Sequence, residues 1–272
     1  MSVVLAVKDG NRILMAGDSQ VSRGSVKMTL NSFNSMKVFK VNGHEGMVMG
    51  VAGSYRDSNI LSTMDSLYDP ILDKAHEEID FKFVVRNVVP ALINELNEWG
   101  RVSNDADAGY TSKSTILLAK DDKCYNIDYD FSVSELCYDG EAMAIGSGAD
   151  ISLAVYNALA DIEGMDIKEK LIRAVSQACQ DDLYVNFPII IHDTMSDDIE
   201  VFDICEYTGK ELDKLIDTFY KKDDIYYYKD KECTKKVKGL VRSKKKKYVK
   251  GGIVIKEQPY MINDKIVLVR GW

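Results

Sequence analysis

The sequence predicts an α+β fold in which two packed β-sheets carry helices on both outer faces. Strand-like and helix-like patterns come in blocks over roughly the first 200 residues, in the order strands, two helices, strands, two helices, strands. The chain has 272 residues, of which 46% are hydrophobic and 29% are charged. This ordinary globular composition excludes a collagen-like, a disulfide-scaffold and a wholly disordered chain.

The first block consists of two predicted hairpins. Residues 2–7 and 13–16 are short apolar runs whose linker contains an Asp-Gly pair, which is a strong hairpin signal between such runs. Residues 36–41 and 46–51 repeat the pattern around a second turn-forming segment. Both hairpins therefore precede the first helices.

Two helices are predicted after the hairpins. Apolar residues recur at spacings of three and four over 54–68 and over 81–99. Pro90 lies inside the second pattern. Because proline has no amide hydrogen, it predicts a kink or a break in that helix.

The remaining blocks continue the alternation. Short apolar runs predict strands at 114–119, 125–129, 142–145, 188–191 and 199–204. Helical spacing predicts helices at 150–162 and 167–183. No internal repeat of fixed period is evident.

Several functional classes find no support in the sequence. The longest apolar stretch, 47–52, is much shorter than a membrane span, and no basic region precedes the first apolar run, so we expect a cytoplasmic protein. The five cysteines form no C-x-x-C pair and the three histidines lie in unrelated contexts, so we expect reduced thiols, no metal site and no cofactor. A P-loop, a complete dinucleotide fingerprint and a G-x-S-x-G motif are all missing.

Charge divides the chain into two parts. Residues 1–209 hold 17 basic and 34 acidic side chains, whereas residues 210–272 hold 18 and 9, and the net charge of the whole chain is −8. We therefore predict one domain at 1–206 and a basic, β-rich C-terminal extension at 207–272.

The extension is predicted to be a small β appendage. It contains an aromatic run at 226–228 and strand-like runs at 253–255 and 265–269, with a turn at 263–264. The lysine run at 244–247 suits a solvated loop or a phosphate backbone. Because the rest of the chain is acidic, we expect the extension to dock on the acidic core of its own or an adjacent subunit rather than on nucleic acid.

Five short segments carry a resemblance to a known family. They are SVVLAVKDG at 2–10, AGDSQ at 16–20, MKVFKV at 36–41, MGVAG at 49–53 and AIGSG at 144–148. Together they resemble the proteasome β-subunits and the bacterial HslV peptidase. The resemblance implies the four-layer αββα sandwich of the N-terminal-nucleophile (Ntn) hydrolases, which agrees with the order of strands and helices.

The resemblance also implies a nucleophile at the start of the chain. Ser2 falls where the family has its N-terminal threonine, provided that Met1 is removed. A hydroxyl needs a nearby base, and a free α-amine with a pKa of about 8 is partly neutral near pH 7. If Met1 stays, the amine lies one residue away and is out of reach.

Five further residues complete the implied site. Lys37 would be a fixed positive charge with Asp18 pairing and orienting it, and the backbone amide of Gly53 would receive the developing oxyanion. Ser147 would complete the hydrogen bonds around the terminal amine, and Asp182 is similar to the family's supporting aspartate.

The resemblance further implies a substrate and partners. Unfolded polypeptide or peptide would add as a strand beside Val21 and Ser22 on one side and Gly53 on the other. Relatives form stacked rings to which an ATPase usually delivers unfolded chains. We therefore expect a homo-oligomeric ring and, because this chain has no P-loop, a separate ATPase unfoldase.

Two other functions stay open. Ser2 replaces the usual threonine, and Val185 stands where many β-subunits have a serine. These departures leave room for a catalytically silent scaffold or ring-assembly subunit. An amidase for small non-peptide substrates is a third possibility, although such enzymes more often begin with cysteine.

Overall fold

The fold is given by a computed structural model of the chain. It describes residues 2–23, 26–29, 36–65, 67, 79–105, 109–162 and 164–202, together with the backbone of five strands after residue 202. The chain divides into two compact units, one comprising most of residues 1–199 and the other most of residues 200–272. The predicted boundary at residue 206 stays a prediction.

Fourteen strands are described up to residue 202. They are β1 Val4–Asp9, β2 Arg12–Asp18, β3 Gln20–Arg23, β4 Val26–Thr29, β5 Val38–Lys40, β6 Met47–Ala52, β7 Ser103–Asp105, β8 Gly109–Thr111, β9 Thr115–Lys120, β10 Lys123–Ile127, β11 Val133–Leu136, β12 Ala142–Ile145, β13 Ile189–Asp193 and β14 Ser196–Phe202. The helices are α1 Tyr55–Thr63, α2 Phe81–Phe83, a π-helical segment Val84–Val88, α3 Val89–Glu98, α4 Ala149–Ala158 and α5 Ile167–Asp181.

Two antiparallel sheets form the centre of the first unit. One has the strand order β12-β1-β2-β13 with β14 next to β13, and the other has the order β11-β10-β9-β6-β5. Strands β1 and β2 pack against β6, β9 and β10 of the second sheet. Both predicted hairpins are confirmed, since β1 pairs with β2 and β5 with β6.

Helices cover both outer faces of the paired sheets. Helices α4 and α5 pack on β1, β2 and β12, while α1 packs on β6 and on α3. The first unit is therefore a four-layer αββα sandwich, as predicted. Strand β1 is covered on both faces, which explains why Val4, Leu5, Ala6 and Val7 are all fully buried and why this strand shows no apolar-polar alternation.

Of the predicted kink or break at Pro90, the break is wrong, and the kink stays a prediction. Residues 81–98 are helical throughout, with the π-helical segment directly before α3 and Pro90 in the first turn of α3. The amide of Val89 donates to the carbonyl of Val84 across the wider π turn. A change of hydrogen-bond register at this point accommodates a residue that lacks the donor for a regular helical bond.

The second unit contains two small β arrangements. Its strands are β15 Tyr227–Tyr228, β16 Lys247–Val249, β17 Ile253–Ile255, β18 Pro259–Ile262 and β19 Lys265–Arg270. Strands β15, β16 and β17 form an antiparallel sheet, and β18 pairs antiparallel with β19. The predicted turn at 263–264 lies outside the described residues. The side chains of the extension, including the lysine run, and two of the cysteines (Cys205 and Cys233) lie outside the described residues.

Within the described part of the chain, no helix is long and apolar enough to cross a membrane.

Candidate active site

The β1–β2 hairpin fixes the position of Ser2. Ser2 lies two residues before β1, which begins at the buried Val4, and is itself 4% exposed. Its carbonyl oxygen accepts hydrogen bonds from the amide of Gly148, at 3.1 Å, and from the Oγ of Ser147, at 3.5 Å. Gly146 has a φ of +98°, and a Cβ there would lie 2.2 Å from the Ser2 carbonyl oxygen, so only glycine fits at this turn.

A buried ion pair lies beside Ser2. The Lys37 Nζ is 2.7 Å from Oδ1 of Asp18, and both side chains are almost completely removed from solvent. The same Oδ1 accepts a hydrogen bond from the amide of Val3 at 2.9 Å. Asp18 is therefore bonded both to the predicted cation and to the residue that follows the predicted nucleophile.

The second oxygen of Asp18 is also held. This oxygen, Oδ2, accepts hydrogen bonds from the backbone amide of Gln20, at 2.9 Å, and from the backbone amide of Asn186, at 3.3 Å. Such amide donors stabilise a buried carboxylate that otherwise loses its hydration. The Asp18 carboxylate thus has a fixed orientation toward Lys37.

Gly53 lies at the end of β6, where the chain turns into α1. Its φ is +124°, and a Cβ would lie 2.3 Å from the carbonyl oxygen of Lys113. The neighbouring amide of Ser54 donates to Oγ of Ser114 at 3.0 Å. The turn is therefore packed tightly against the start of β9, and its backbone conformation excludes other residues at Gly53.

A cavity of about 90 Å³ brings together five of the eight predicted site residues, but not Asp18, Ser147 or Asp182. It is lined by Ser2, Gln20, Val21, Ser22, Lys37, Val51, Gly53, Ser54, Tyr55 and Ser58. The lining includes the predicted nucleophile, the predicted cation, the predicted oxyanion donor, and Val21 and Ser22 of the predicted substrate strand site. Hydroxyl and amide groups dominate it, so it suits a polar, hydrogen-bonding ligand such as a peptide.

A second cavity, of about 380 Å³, shares none of these residues. Glu45, Lys120, Asp121, Thr194 and Asp197 are among the residues that line it. We place the candidate active site in the smaller cavity because that cavity holds Ser2. In the described residues, no group of three or more histidine, cysteine, aspartate or glutamate side chains is arranged to hold a metal ion.

Asp182 is less closely connected with the site than the other predicted residues. It caps the end of α5, and its Oδ1 accepts a hydrogen bond from the amide of Tyr184 at 2.8 Å. It is not among the residues that line the cavity. Its predicted supporting role stays a prediction.

Sequence reasoning did not find several residues that shape the site. Gln20 is 1% exposed, and its Nε2 donates to the Leu183 carbonyl and to the Ser22 Oγ, both at 3.0 Å. Asp57 and Arg101 form a second buried ion pair behind Ser54. The spacing of Ser54 and Asp57 resembles a capping box, but the Ser54 side chain makes no cap bond, so the pattern alone would have misled.

The part of the chain that contains this site is similar in sequence to known proteins. A family model described as "Proteasome subunit" matches residues 2–192. The ATP-dependent protease subunit HslV of Campylobacter concisus is 27% identical over 190 residues, covering 68% of this chain and 93% of that protein. HslV of Trypanosoma brucei brucei is 24% identical over 185 residues, covering 68% of this chain and 78% of that protein.

Solved structures give the same fold. Thiobacillus denitrificans BPH in complex with epoxomicin is similar with a TM-score of 0.53 and 18% identity, covering 70% of this chain and 97% of that one. The crystal structure of HslV from Trypanosoma brucei is similar with a TM-score of 0.51 and 23% identity, covering 70% and 98%.

Proposed function

The chain belongs to the proteasome subunit family, and we propose that it is a peptidase whose nucleophile is the Ser2 hydroxyl after Met1 has been removed. The observation that carries this proposal is the cavity in which Ser2, Lys37 and Gly53 meet. A serine hydroxyl is a weak nucleophile and needs a base. The α-amine created by removing Met1 would be that base, since it is partly neutral near pH 7.

The reaction would proceed through an acyl-enzyme. The α-amine of Ser2 accepts the proton of Oγ while Oγ attacks the carbonyl carbon of the scissile peptide bond. The resulting oxyanion accepts a hydrogen bond from the Gly53 amide. The carbon-nitrogen bond then breaks, the leaving amine takes the proton from the α-ammonium, and an ester on Ser2 remains. Water, activated by the same amine, hydrolyses that ester.

Lys37 and Asp18 would provide the electrostatic setting for these steps. Lys37 places a positive charge in the cavity wall, which favours the neutral form of a nearby amine and stabilises developing negative charge. Asp18 is the counter-ion that keeps this charge in place at 2.7 Å. Ser147 would hold the Ser2 main chain by its contact with the Ser2 carbonyl oxygen.

The substrate would bind as an added strand. Val21 and Ser22 of β3 and Gly53 line the same cavity. One edge of β3 is already paired with β4. A peptide lying between β3 and the Gly53 turn would form main-chain hydrogen bonds on both sides and present one carbonyl to Ser2.

Assembly and partners form part of the proposal. The relatives are named as subunits of an ATP-dependent protease. We infer a homo-oligomeric ring that degrades unfolded polypeptide in the cytoplasm, with a separate ATPase that unfolds the substrate. Light scattering should give an oligomer at micromolar concentration, and a monomer would contradict the ring.

A catalytically silent scaffold is the second candidate. Ser2 is 4% exposed, so a substrate has little direct access to it. Under this alternative the Ser2 side chain has no chemical role.

Site-directed substitution separates the two candidates. Ser2→Ala should abolish hydrolysis of a fluorogenic peptide, a loss of at least about a thousandfold, because the nucleophile is gone. Ser176→Ala is the matched control, since Ser176 is a similarly buried serine on α5 and its exposed fraction is 7%. Native activity that survives Ser2→Ala would overturn the peptidase mechanism, and a folded native protein that cleaves no peptide would favour the scaffold.

A further inference from the structure

A buried polar network lies behind the Gly53 turn. The Asp57 side chain is fully buried and is paired with Arg101 through the Arg101 Nε, while the Arg101 side chain is 16% exposed. The other Asp57 oxygen, Oδ2, accepts a hydrogen bond from Oγ of Ser114 at 2.8 Å. The carboxylate thus joins three segments that are far apart in sequence: the first turn of α1, the segment that follows α3 and the residue directly before β9.

The same network holds the amide and the hydroxyl of Ser54. The Oγ of Ser114 accepts the Ser54 amide at 3.0 Å, and Nη2 of Arg101 donates to the Ser54 Oγ at 2.8 Å. Each bond leads back to Asp57, since both Ser114 and Arg101 are bonded to its carboxylate. Asp57 therefore orients the two groups that hold Ser54.

Ser54 directly follows Gly53, so the network that holds Ser54 also restrains Gly53. On its other side, Gly53 follows Ala52, which pairs with Thr115 in the ladder between β6 and β9. Glycine is the most flexible residue, so the direction of its amide depends on how its two neighbours are held. The ladder holds one neighbour, and the network holds the other.

We propose that Asp57, Arg101 and Ser114 are positioning residues that fix the Gly53 amide for transition-state binding. This inference rests on the proposed peptidase function, because it assigns the Gly53 amide to the oxyanion. An ion pair with a fully buried carboxylate, such as this one, seldom adds stability over apolar residues of the same size. A geometric role at the turn gives a reason for its presence here.

The size of the effect follows from the geometry. Removing an oxyanion donor outright costs about a hundredfold to a thousandfold in kcat. Loosening its support leaves the donor present but misaligned, so we expect a smaller loss, of about tenfold to a hundredfold. The loss should fall on kcat, because the donor acts on the oxyanion and not on the bound peptide.

Ser114→Ala is the most direct variant, since it removes the acceptor of the Ser54 amide and leaves the ion pair intact. We expect kcat for peptide cleavage to fall about tenfold to a hundredfold with KM changed by less than about twofold. Arg101→Lys retains a cation for Asp57 but cannot also hold Ser54, and it should show a smaller fall of the same kind. If Ser114→Ala does not fold, Arg101→Lys decides the question by the same measurements.

Thr194→Val provides a matched control. The Thr194 hydroxyl is also buried and also bridges two segments, accepting the Ile13 amide at 2.9 Å and donating to the Asp121 carbonyl. It lies in the lining of the other cavity. We expect Thr194→Val to retain the native kcat while losing a comparable hydrogen bond.

Two further readouts separate positioning from a general structural effect. A peptide aldehyde forms a tetrahedral adduct on the nucleophile, whereas the corresponding peptide alcohol does not. In Ser114→Ala, aldehyde affinity should fall in parallel with kcat while alcohol affinity stays within about twofold. Hydrogen exchange at the Ser54 amide should become at least about tenfold faster in Ser114→Ala and stay unchanged in Thr194→Val.

The outcomes distinguish this inference from the function on which it rests. If the native protein cleaves peptide and Ser114→Ala keeps its kcat within about twofold, the positioning role is wrong and the peptidase function stands. If aldehyde and alcohol affinities fall equally, the network shapes the peptide site and not the oxyanion site, which also overturns the inference. If the folded native protein cleaves no peptide, the proposed function fails, and the positioning role fails with it.

Discussion

Two buried ion pairs flank the candidate active site, and their difference is instructive. Asp18 pairs with Lys37 next to Ser2, the proposed nucleophile, and the Asp18 Oδ1 also accepts a hydrogen bond from the Val3 amide. Asp57 pairs with Arg101 behind the Gly53 turn. Both carboxylate side chains are completely buried, yet only the first pair places its cation in the lining of the cavity.

This difference separates charge from geometry. Lys37 faces the place where the reaction would occur, so its loss changes the electrostatic potential there. Arg101 acts only through Ser54, to whose hydroxyl it donates a hydrogen bond, so its loss changes the orientation of Ser54 and of the adjoining Gly53 amide. Because the two carboxylates are equally buried, losing either cation should cost about the same in stability but very different amounts in catalysis.

The largest expected effect is that of Lys37→Met. It leaves Asp18 buried without its cation, which should lower the free energy of unfolding by about 3–5 kcal/mol. Peptide cleavage should fall at least about a thousandfold because the positive charge is lost from the cavity. Urea unfolding and kcat measurements check both values.

Arg101→Met is the control for this comparison. It removes the cation of a pair whose carboxylate is equally buried and should cost about the same in unfolding free energy, but only about tenfold to a hundredfold in kcat. Equal losses of activity in the two variants would remove the distinction between charge and geometry.

A smaller effect concerns the stability of the protein in acid. His192, a buried histidine outside both ion pairs, also titrates there. Burial, with a smaller contribution from the nearby charge of Lys40, lowers the pKa of His192 to about 3. Since an unfolded histidine has a pKa of about 6.5, the unfolded chain binds a proton that the folded one rejects. The contribution of His192 to the free energy of unfolding is therefore complete above pH 6.5. It falls by about 1.4 kcal/mol for each pH unit as the pH drops from 6.5 toward 3.

His192→Leu tests the source of that acid sensitivity. The variant has no proton to bind at this position, so its free energy of unfolding should fall less steeply than that of the native protein between pH 6.5 and 4.5. Urea unfolding at several pH values gives both slopes. Parallel slopes would show that other groups control acid stability.

The smallest expected effect comes from an exposed pair on α5. Arg173 and Glu169 are 2.8 Å apart, but their side chains are 43% and 38% exposed. Arg173→Ala should therefore change the free energy of unfolding by less than about 0.5 kcal/mol and leave peptide cleavage unchanged. A loss of several kcal/mol would mean that burial does not explain why the two ion pairs at the site affect stability more than this exposed pair.

The sequence predicted much of the sandwich because its main elements have local signals. The Asp-Gly turn identified the first hairpin, and the predicted strand at 142–145 coincides with β12. Strands β7 and β8 had no such signal, since β7 consists of the three exposed polar residues Ser103, Asn104 and Asp105. Without a buried face there is no alternation to detect.

The site was predicted in the same uneven way. Ser2, Asp18, Lys37 and Gly53 were found because short motifs resemble a known family. Asp57 and Arg101 are 44 residues apart, and their pairing depends on the packing of α1 against the segment that follows α3. No local pattern encodes such a contact, so only the folded chain reveals it.

The most direct test of the central claim is an intact-mass measurement on the purified protein. A peptide epoxyketone reacts with a nucleophile that carries its own free α-amine, so it tests the state of the terminus and the chemistry together. The account predicts a mature chain that begins at Ser2 and gains the mass of one inhibitor, with peptide mapping placing the adduct on Ser2. A chain that retains Met1 and gains no mass would contradict it.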